Sequence, residues 1–394
     1  MSDILRVENL STRFFTESGQ VNAVEDVSFS IESGEVFGIV GESGSGKSVT
    51  ALSLIDLVEN PGRVTSGEIW FRAPDTADRV RAETPAAVDG DMVDLRRLGE
   101  RDRRSLRGSR FATIFQDPMS SFNPSITVGE QIAEAAEVQR RADANPRSTR
   151  SRTQGFGLTS FLAASVLPSR EYVTEASMER AVELLELVGI PDPAERAEEY
   201  PHQYSGGMLQ RAMIAQALAA DPDVLVADEP TTALDVTIQA QILQLLDRLQ
   251  DETGMTILII THNLGVIARM CDTVGVMYAG EIVERGTLTD VFDRPAHPYT
   301  RGLLGSLPSV ENASGRLSPI EGSVPSLLDA EMPDRCYFAD RCPEAMEVCL
   351  EKPPSFTAPG SDGHEATCYL ASEEHAGSPA LPDDYFEGTE VVDE

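Results

Sequence analysis

Three short apolar runs, each breaking off at glycine or polar residues, set the pattern of this chain. Val36-Phe37-Gly38-Ile39-Val40 ends at a glycine-rich stretch, Val224-Leu225-Val226-Ala227 ends at Asp228-Glu229, and Thr256-Ile257-Leu258-Ile259-Ile260 ends at Thr261-His262. Unbroken apolar runs of this length predict strands buried on both faces. Between them the period lengthens. Val49 to Ile55 can continue as a helix, Leu209 to Ala220 is a second helical run, and Gln239 to Gln250 sets Ile242, Leu245, Leu246 and Leu249 on one helical face. The pattern predicts an α/β sheet whose polar strand tips form its ligand-binding edge. No run approaches the ~20 apolar residues of a membrane span. The N-terminus lacks a basic region and an apolar core, so no signal peptide is expected.

Composition sharpens this. The length suggests a core domain with an extension. The formal charge is −33, which argues against nonspecific binding to nucleic acid or anionic lipid. Lys47 and Lys352 are the only lysines among 32 basic residues. Scarce lysine with acids spread along the chain suggests a proteome adapted to high salt, where repulsion is screened. A chain this poor in lysine still puts one at the end of Gly41-Glu42-Ser43-Gly44-Ser45-Gly46-Lys47-Ser48.

That run fits G-x-x-x-x-G-K-[ST] between a strand and a helix. Its glycines let backbone N–H groups turn inward around phosphate, Lys47 reaches the β/γ-phosphates, and the Ser48 hydroxyl binds Mg²⁺. A glycine-rich turn is the bland alternative. Ser205-Gly206-Gly207 before the Leu209 helix offers a second set of free N–H groups, weak evidence alone. Asp228 and Glu229 at a strand tip suit a metal ligand and a water-polarising base. His262 stands where a γ-phosphate contact is needed.

Together these segments resemble the ATP-binding cassette of ABC transporters over roughly residues 3 to 370. The order is that of the family: phosphate loop, a glutamine loop at Ile114-Phe115-Gln116-Asp117-Pro118, a signature at 204–208, the Asp228-Glu229 pair, a D-loop at Ala233-Leu234-Asp235, and His262. The stretches Phe115 to Pro124, Asp228 to Thr237, Arg294 to Arg301 and Cys336 to Pro343 are similar to the dipeptide/oligopeptide importer ATPases, D-type branch. The resemblance implies a P-loop cassette with a RecA-like core, an antiparallel β subdomain and an α-helical subdomain, followed by a cysteine-containing peptide-transporter extension. It implies a cassette at 3–290, with its helical subdomain at about 118–215. Insertions are read at about 73–95 and at 140–172, the second arginine-rich (Arg140, Arg141, Arg147, Arg150, Arg152, Arg170) and read as a mobile, solvated loop. The extension is set at 291–370 and an acidic, disordered tail at 371–394.

Carried over by position, Phe14 stacks on adenine, with Phe15 the second candidate. Gly41, Ser43, Gly44, Ser45, Gly46, Lys47 and Ser48 hold phosphate. Ser48, Gln116 and Asp228 serve Mg²⁺, Glu229 is the general base, and His262 touches the γ-phosphate. Ser205, Gly206, Gly207 and Asp235 complete the site of an opposite cassette. Tyr204, Met208, Leu209 and Asn263 depart from the broad family pattern without removing a catalytic group. The implied partners are two transmembrane permease subunits, a second related ATPase or another copy of this chain, and, indirectly, an extracellular peptide-binding protein; nucleic acid is not among them. The implied place is peripheral, on the cytoplasmic face of the cell membrane.

Cys336, Cys342, Cys349 and Cys368 crowd the extension. A disulfide is disfavoured in a reducing compartment. Zn²⁺ usually starts from C-x₂₋₄-C, which is lacking here. Four thiolates with longer spacers can hold a 4Fe–4S cluster, and some peptide-importer ATPases resemble this pattern. Fe–S is the favoured reading, with Zn²⁺ and free thiols left open. Cys271 reads as a core thiol. Three functions compete: a peptide-importer ATPase (or one for nickel or sugars), a soluble ABC-type ATPase acting on ribosomes or DNA, and a non-hydrolysing module. The single motif set, the absence of a heptad run and an intact Glu229 and His262 favour the first.

Overall fold

The computed structural model describes residues 2–107, 109–144, 173–232, 234–306, 320–329, 332, 334–358, 363–375, 377–382 and 385–386. The chain divides into two compact units. One comprises Met1–Arg6, Ser30–Glu35 and Ile69–Ile259; the other comprises Val7–Phe29, Val36–Glu68 and Ile260–Glu394.

In the first unit the strand Phe111–Ile114 runs parallel to Val224–Asp228, with Phe111 opposite Val224 and Ile114 opposite Ala227. Residues 224–227 are fully buried, and so is every residue of Thr256–Thr261, as unbroken apolar runs require. Each large aliphatic side chain so buried contributes about 2 kcal/mol. Helix Val236–Thr253 buries Ile242, Leu245, Leu246 and Leu249, the face read from the sequence. Asp235 caps its N-terminus through Thr237 N (2.9 Å) and Ile238 N (3.0 Å).

The same unit carries the helices Val128–Ala144, Glu175–Leu187, Pro193–Ala197 and Gly206–Leu218. Glu137, fully buried, receives Arg140 and Arg141 from its own helix and Ser177 and Thr174 from the next. These bonds, Arg140's above all, bring its carboxyl down to about 2. Arg140 and Arg141 thus finish a helix, which corrects their assignment to a mobile insertion. Residues 145–172, with Arg147, Arg150, Arg152 and Arg170, lie outside the described residues.

The stretch 73–95 also differs from its reading as a surface insertion. It forms the helix Pro74–Val80 and the strands Val88–Asp89 and Met92–Asp94. Met92–Asp94 pairs antiparallel with Trp70, Phe71 and Arg72, and Ala77, Val80, Ala87 and Val93 are buried. Its Ala- and Asp-rich composition conceals a small packed layer.

In the second unit Val36–Val40 runs parallel to Thr273–Tyr278, which pairs antiparallel with Glu281–Thr287. The sheet then continues into the extension. Glu365 and Ala366 pair with Arg285 and Glu284, and Phe356–Thr357 pairs with Glu365–Ala366. The buried Glu284 carboxylate clamps this region, accepting from Ala296 N and His297 N (2.8 Å each) and bonding His364 Nε2 (2.7 Å). The tail is in part ordered, against expectation. Leu381 N–H bonds to Ala345 O at 2.7 Å, and the Arg335 guanidinium lies 4.7 Å over Phe386. Phe386, partly buried, packs against the cluster of Ala339, Met346, Cys349 and Tyr369. Residues 383–384 and 387–394 lie outside the described residues. Among the described residues no helix is long and apolar enough to cross a membrane.

Candidate functional site

In the second unit, residues 41–46 form a loop between Val36–Val40 and the helix Lys47–Leu54. Gly46 has φ +102°, and a Cβ there would stand 2.2 Å from Ala23 O. At Gly41 it would stand 2.1 Å from Met277 O. Only glycine fits either place. The Lys47 ammonium curls back over the loop, donating to Gly41 O (2.9 Å), Glu42 O (2.8 Å) and Ser45 Oγ (3.4 Å). Ser43, Gly44 and Ser48 are exposed at the rim. A single ammonium inside a ring of turned backbone, at a helix N-terminus, is built to receive a polyanion.

Also in this unit, Phe14 is half-buried with its ring edge against Gly62. Phe15 is exposed, and the Arg63 guanidinium lies 4.4 Å over its ring. His262 is exposed just past its strand. Asn263, which departs from the family's Asp, caps the helix Leu264–Met270 through Gly265 N at 2.9 Å.

In the first unit, Asp228 and Glu229 sit at the end of Val224–Asp228. Gln116 Nε2 donates to Glu229 Oε2 at 3.1 Å, and the Thr232 hydroxyl donates to the same oxygen at 2.6 Å. Glu229 has φ +49°, a conformation that costs a non-glycine residue on the order of 1 kcal/mol and is held by its surroundings. Sequence reasoning missed Thr232, although its place three residues after Glu229 was visible.

Ser205 caps the helix Gly206–Leu218 through Met208 N at 3.3 Å, and Gly206 is exposed beside it. A Cβ on Gly207 would meet Ile238 Cγ2 at 2.8 Å. Tyr204, where the broad family has Leu, is buried and donates its hydroxyl to Arg196 O at 2.8 Å. Burial pushes that phenol up, so it stays a neutral donor. Ala233 of the D-loop lies outside the described residues.

All five cysteines are free thiols. Cys336, Cys342, Cys349 and Cys368 influence one another electrostatically, and the Cys349 sulfur accepts the backbone N–H of Met346 at 3.4 Å. Burial pushes Cys336 and Cys342 up to about 12 and Cys368 to about 11. Among the described residues no three His, Cys, Asp or Glu side chains form a group that could hold a metal ion. The thiols pack here as neutral groups. Cys271 is buried, as expected of a core thiol.

Known proteins resemble this chain over most of its length. The family profile for ABC transporters matches residues 24–232, and that for the C-terminal region of oligopeptide/dipeptide transporters matches 283–349. The dipeptide transport ATP-binding protein DppD of Bacillus subtilis (strain 168) is 42% identical, over 95% of this chain and 98% of its own length. DppD of Escherichia coli (strain K12) is 41% identical over 96% and 99%. The oligopeptide transport ATP-binding protein AppD of Bacillus subtilis (strain 168) is 41% identical over 95% and 99%. A nucleotide-free ATP-binding cassette from an ABC transporter superposes with a TM-score of 0.54 at 22% identity, over 77% of this chain and 98% of that one. The cassette MJ0796 in its dimeric, ADP- and phosphate-bound state gives 0.52 at 23%, over 72% and 98%. At those identities the structural likeness is one of fold.

Proposed function

This chain belongs to the ABC transporter family, in its oligopeptide/dipeptide branch, and we propose how its residues divide the work. It is an ATPase that energises a peptide importer. The loop amides and Lys47 hold the β- and γ-phosphates. Ser48, Gln116 and Asp228 would hold Mg²⁺, which supplies positive charge at the phosphates. Oxygen donors at a strand tip and a helix N-terminus fit that hard cation. Glu229 polarises the attacking water, the Gln116 amide orients it, and Thr232 fixes the carboxylate. His262 contacts the γ-phosphate. Phe14 takes adenine, since one face of Phe15 is already covered by Arg63. Ser205, Gly206, Gly207 and Asp235 serve the site of an opposite cassette, either a second related ATPase or another copy.

The observation that carries this reading is the Gln116–Glu229 hydrogen bond at 3.1 Å, which joins a water-orienting amide to a strand-tip carboxylate. Glu229→Gln is expected to keep MgATP affinity and lose turnover about 100-fold or more. Unchanged hydrolysis in that variant removes the assigned base.

Phe115 and Met119, 43% and 58% exposed, give the glutamine loop an apolar face for the two permease subunits. Docking there makes the chain peripheral at the cytoplasmic face of the membrane, with a peptide-binding protein delivering cargo outside. Peptide is favoured over nickel or sugar by the names its relatives carry, and uptake by cells lacking this chain decides it. A 4Fe–4S cluster on the four extension cysteines is proposed from their chemistry and not from their arrangement, since as they pack here they form no group that could hold a metal ion. The support is a set of four thiols within one stretch of the extension, all of them free of disulfides. Deprotonation would accompany ligation. Anaerobically purified protein should contain about four irons per chain and absorb in the visible. Iron-free protein with one zinc per chain excludes the cluster.

A further inference from the structure

Glu42 is an acid inside a loop that receives a polyanion. A triphosphate and a nearby carboxylate repel, so the loop can work well only if this charge is offset. The offset comes from the far end of the second unit. Arg341 places Nη1 2.8 Å from Glu42 Oε2 and Nη2 3.1 Å from Glu42 Oε1, a fork-on-fork pair. Its remaining donors are used as well: Nε to Glu321 O (2.9 Å), Nη2 to Ile320 O (3.4 Å) and Nη1 to the Tyr278 hydroxyl (3.3 Å). The guanidinium also lies 5.7 Å from the Tyr278 ring and 5.9 Å from the Phe338 ring. Its side chain is only 6% exposed. Lysine, with one compact charge and no planar fork, could not make this set.

The backbone of Glu42 is held from the same side. Its N–H donates to the hydroxyl of Tyr299 at 2.9 Å. Tyr299 is fully buried, 4.6 Å from the Tyr278 ring and 5.5 Å from Phe338. Phe338 precedes the short turn Ala339–Arg341, Arg341 closes it, and Cys342 follows at once. Both ends of one loop residue, amide and carboxylate, are therefore fixed by residues outside the loop.

We propose that Arg341 is a positioning residue of the nucleotide site: the C-terminal extension neutralises Glu42 and, with Tyr299, sets the phosphate loop for a nucleoside polyphosphate. The inference rests on reading residues 41–48 as the phosphate loop.

The test is equilibrium binding of MgADP to the full-length chain, with KM and kcat for ATP beside it. Arg341→Gln should raise Kd and KM about tenfold and change kcat less than about threefold, because Glu42 is then left uncompensated. Adding Glu42→Gln to that variant should recover most of the loss. A pair that merely ties the extension down would show no such recovery. Tyr299→Phe removes a single hydroxyl and should raise Kd about threefold. It remains informative if Arg341→Gln does not fold. Arg335→Gln removes the extension's Asp340 pair without reaching the loop and should bind as wild type does. Wild-type Kd in folded Arg341→Gln and in Tyr299→Phe overturns the inference, and so does a double variant no better than the single one. Failure of the loop assignment itself looks different: Lys47→Ala would bind MgADP as tightly as wild type.

Discussion

His297 is an imidazole that the fold keeps without a proton. It is 1% exposed, and burial, with the nearby Arg301 charge, lowers its pKa to about 3. Its Nδ1 accepts from Tyr299 N at 3.0 Å and so caps the helix Pro298–Gly305; the backbone N–H of His297 donates to Glu284 Oε2, and the ring lies 5.7 Å from Phe338. The unfolded chain takes up this proton near pH 6.5, the folded chain only near 3. Between those values the unfolded state binds more protons, so stability from this site falls with falling pH, by about 1.4 kcal/mol per unit. His297→Asn keeps a capping side chain and removes the titration. Taken from pH 7 to pH 5, wild type should lose about 2 kcal/mol more stability than the variant, read from urea midpoints. The cavity left by Asn weighs equally at both pH values. Equal losses in the two proteins would mean that His297 does not remain neutral.

At the scale of elements, what could be read in advance depended on how a segment is stabilised. The strands Val36–Val40, Val224–Asp228 and Thr256–Thr261 were legible because burial on both faces demands apolar residues in series. Helix Val236–Thr253 was legible through its apolar stripe. The candidate nucleotide-site residues could be proposed from sequence because a phosphate loop fixes the spacing of its residues. Short elements were not. Val88–Asp89, Met92–Asp94, Phe356–Thr357 and Glu365–Ala366 are too brief for a two-residue period to register, and their stability comes from strands already present. Hence 73–95 looked like a surface insertion, and the extension looked separable at 290. The grip on Glu42 was hidden for another reason. Arg341 lies 299 positions from its partner, and no local pattern reports a contact of that span. Composition around Cys342 drew attention to metal ligands and away from the arginine beside it.

For the whole molecule the governing quantity is charge. With 65 acidic residues against 32 basic ones, the chain carries −33, and repulsion of this kind weakens a compact state. Many of its ion pairs are local and exposed, such as Arg180–Glu183 at 3.0 Å and Arg104–Glu100 at 3.0 Å. Each contributes about 0–1 kcal/mol, and salt weakens it. Salt therefore has two opposed effects. The repulsion extends over every unpaired acid, whereas the attraction is confined to a few short contacts, so screening should favour the folded state. The Debye length falls from about 10 Å at 0.1 M to about 3 Å at 1 M, which removes interactions between neighbouring surface acids. We expect the melting temperature to rise by roughly 5 °C or more between 0.1 M and 2 M KCl. Chloride suits the measurement because sulfate would add its own stabilisation by exclusion from the surface. A flat or falling curve would show that local pairs outweigh repulsion and would detach the acidic surface from any adaptation to high salt. A rising curve would also set the condition under which ATP binding is best measured, since a triphosphate approaching this surface meets the same unscreened field.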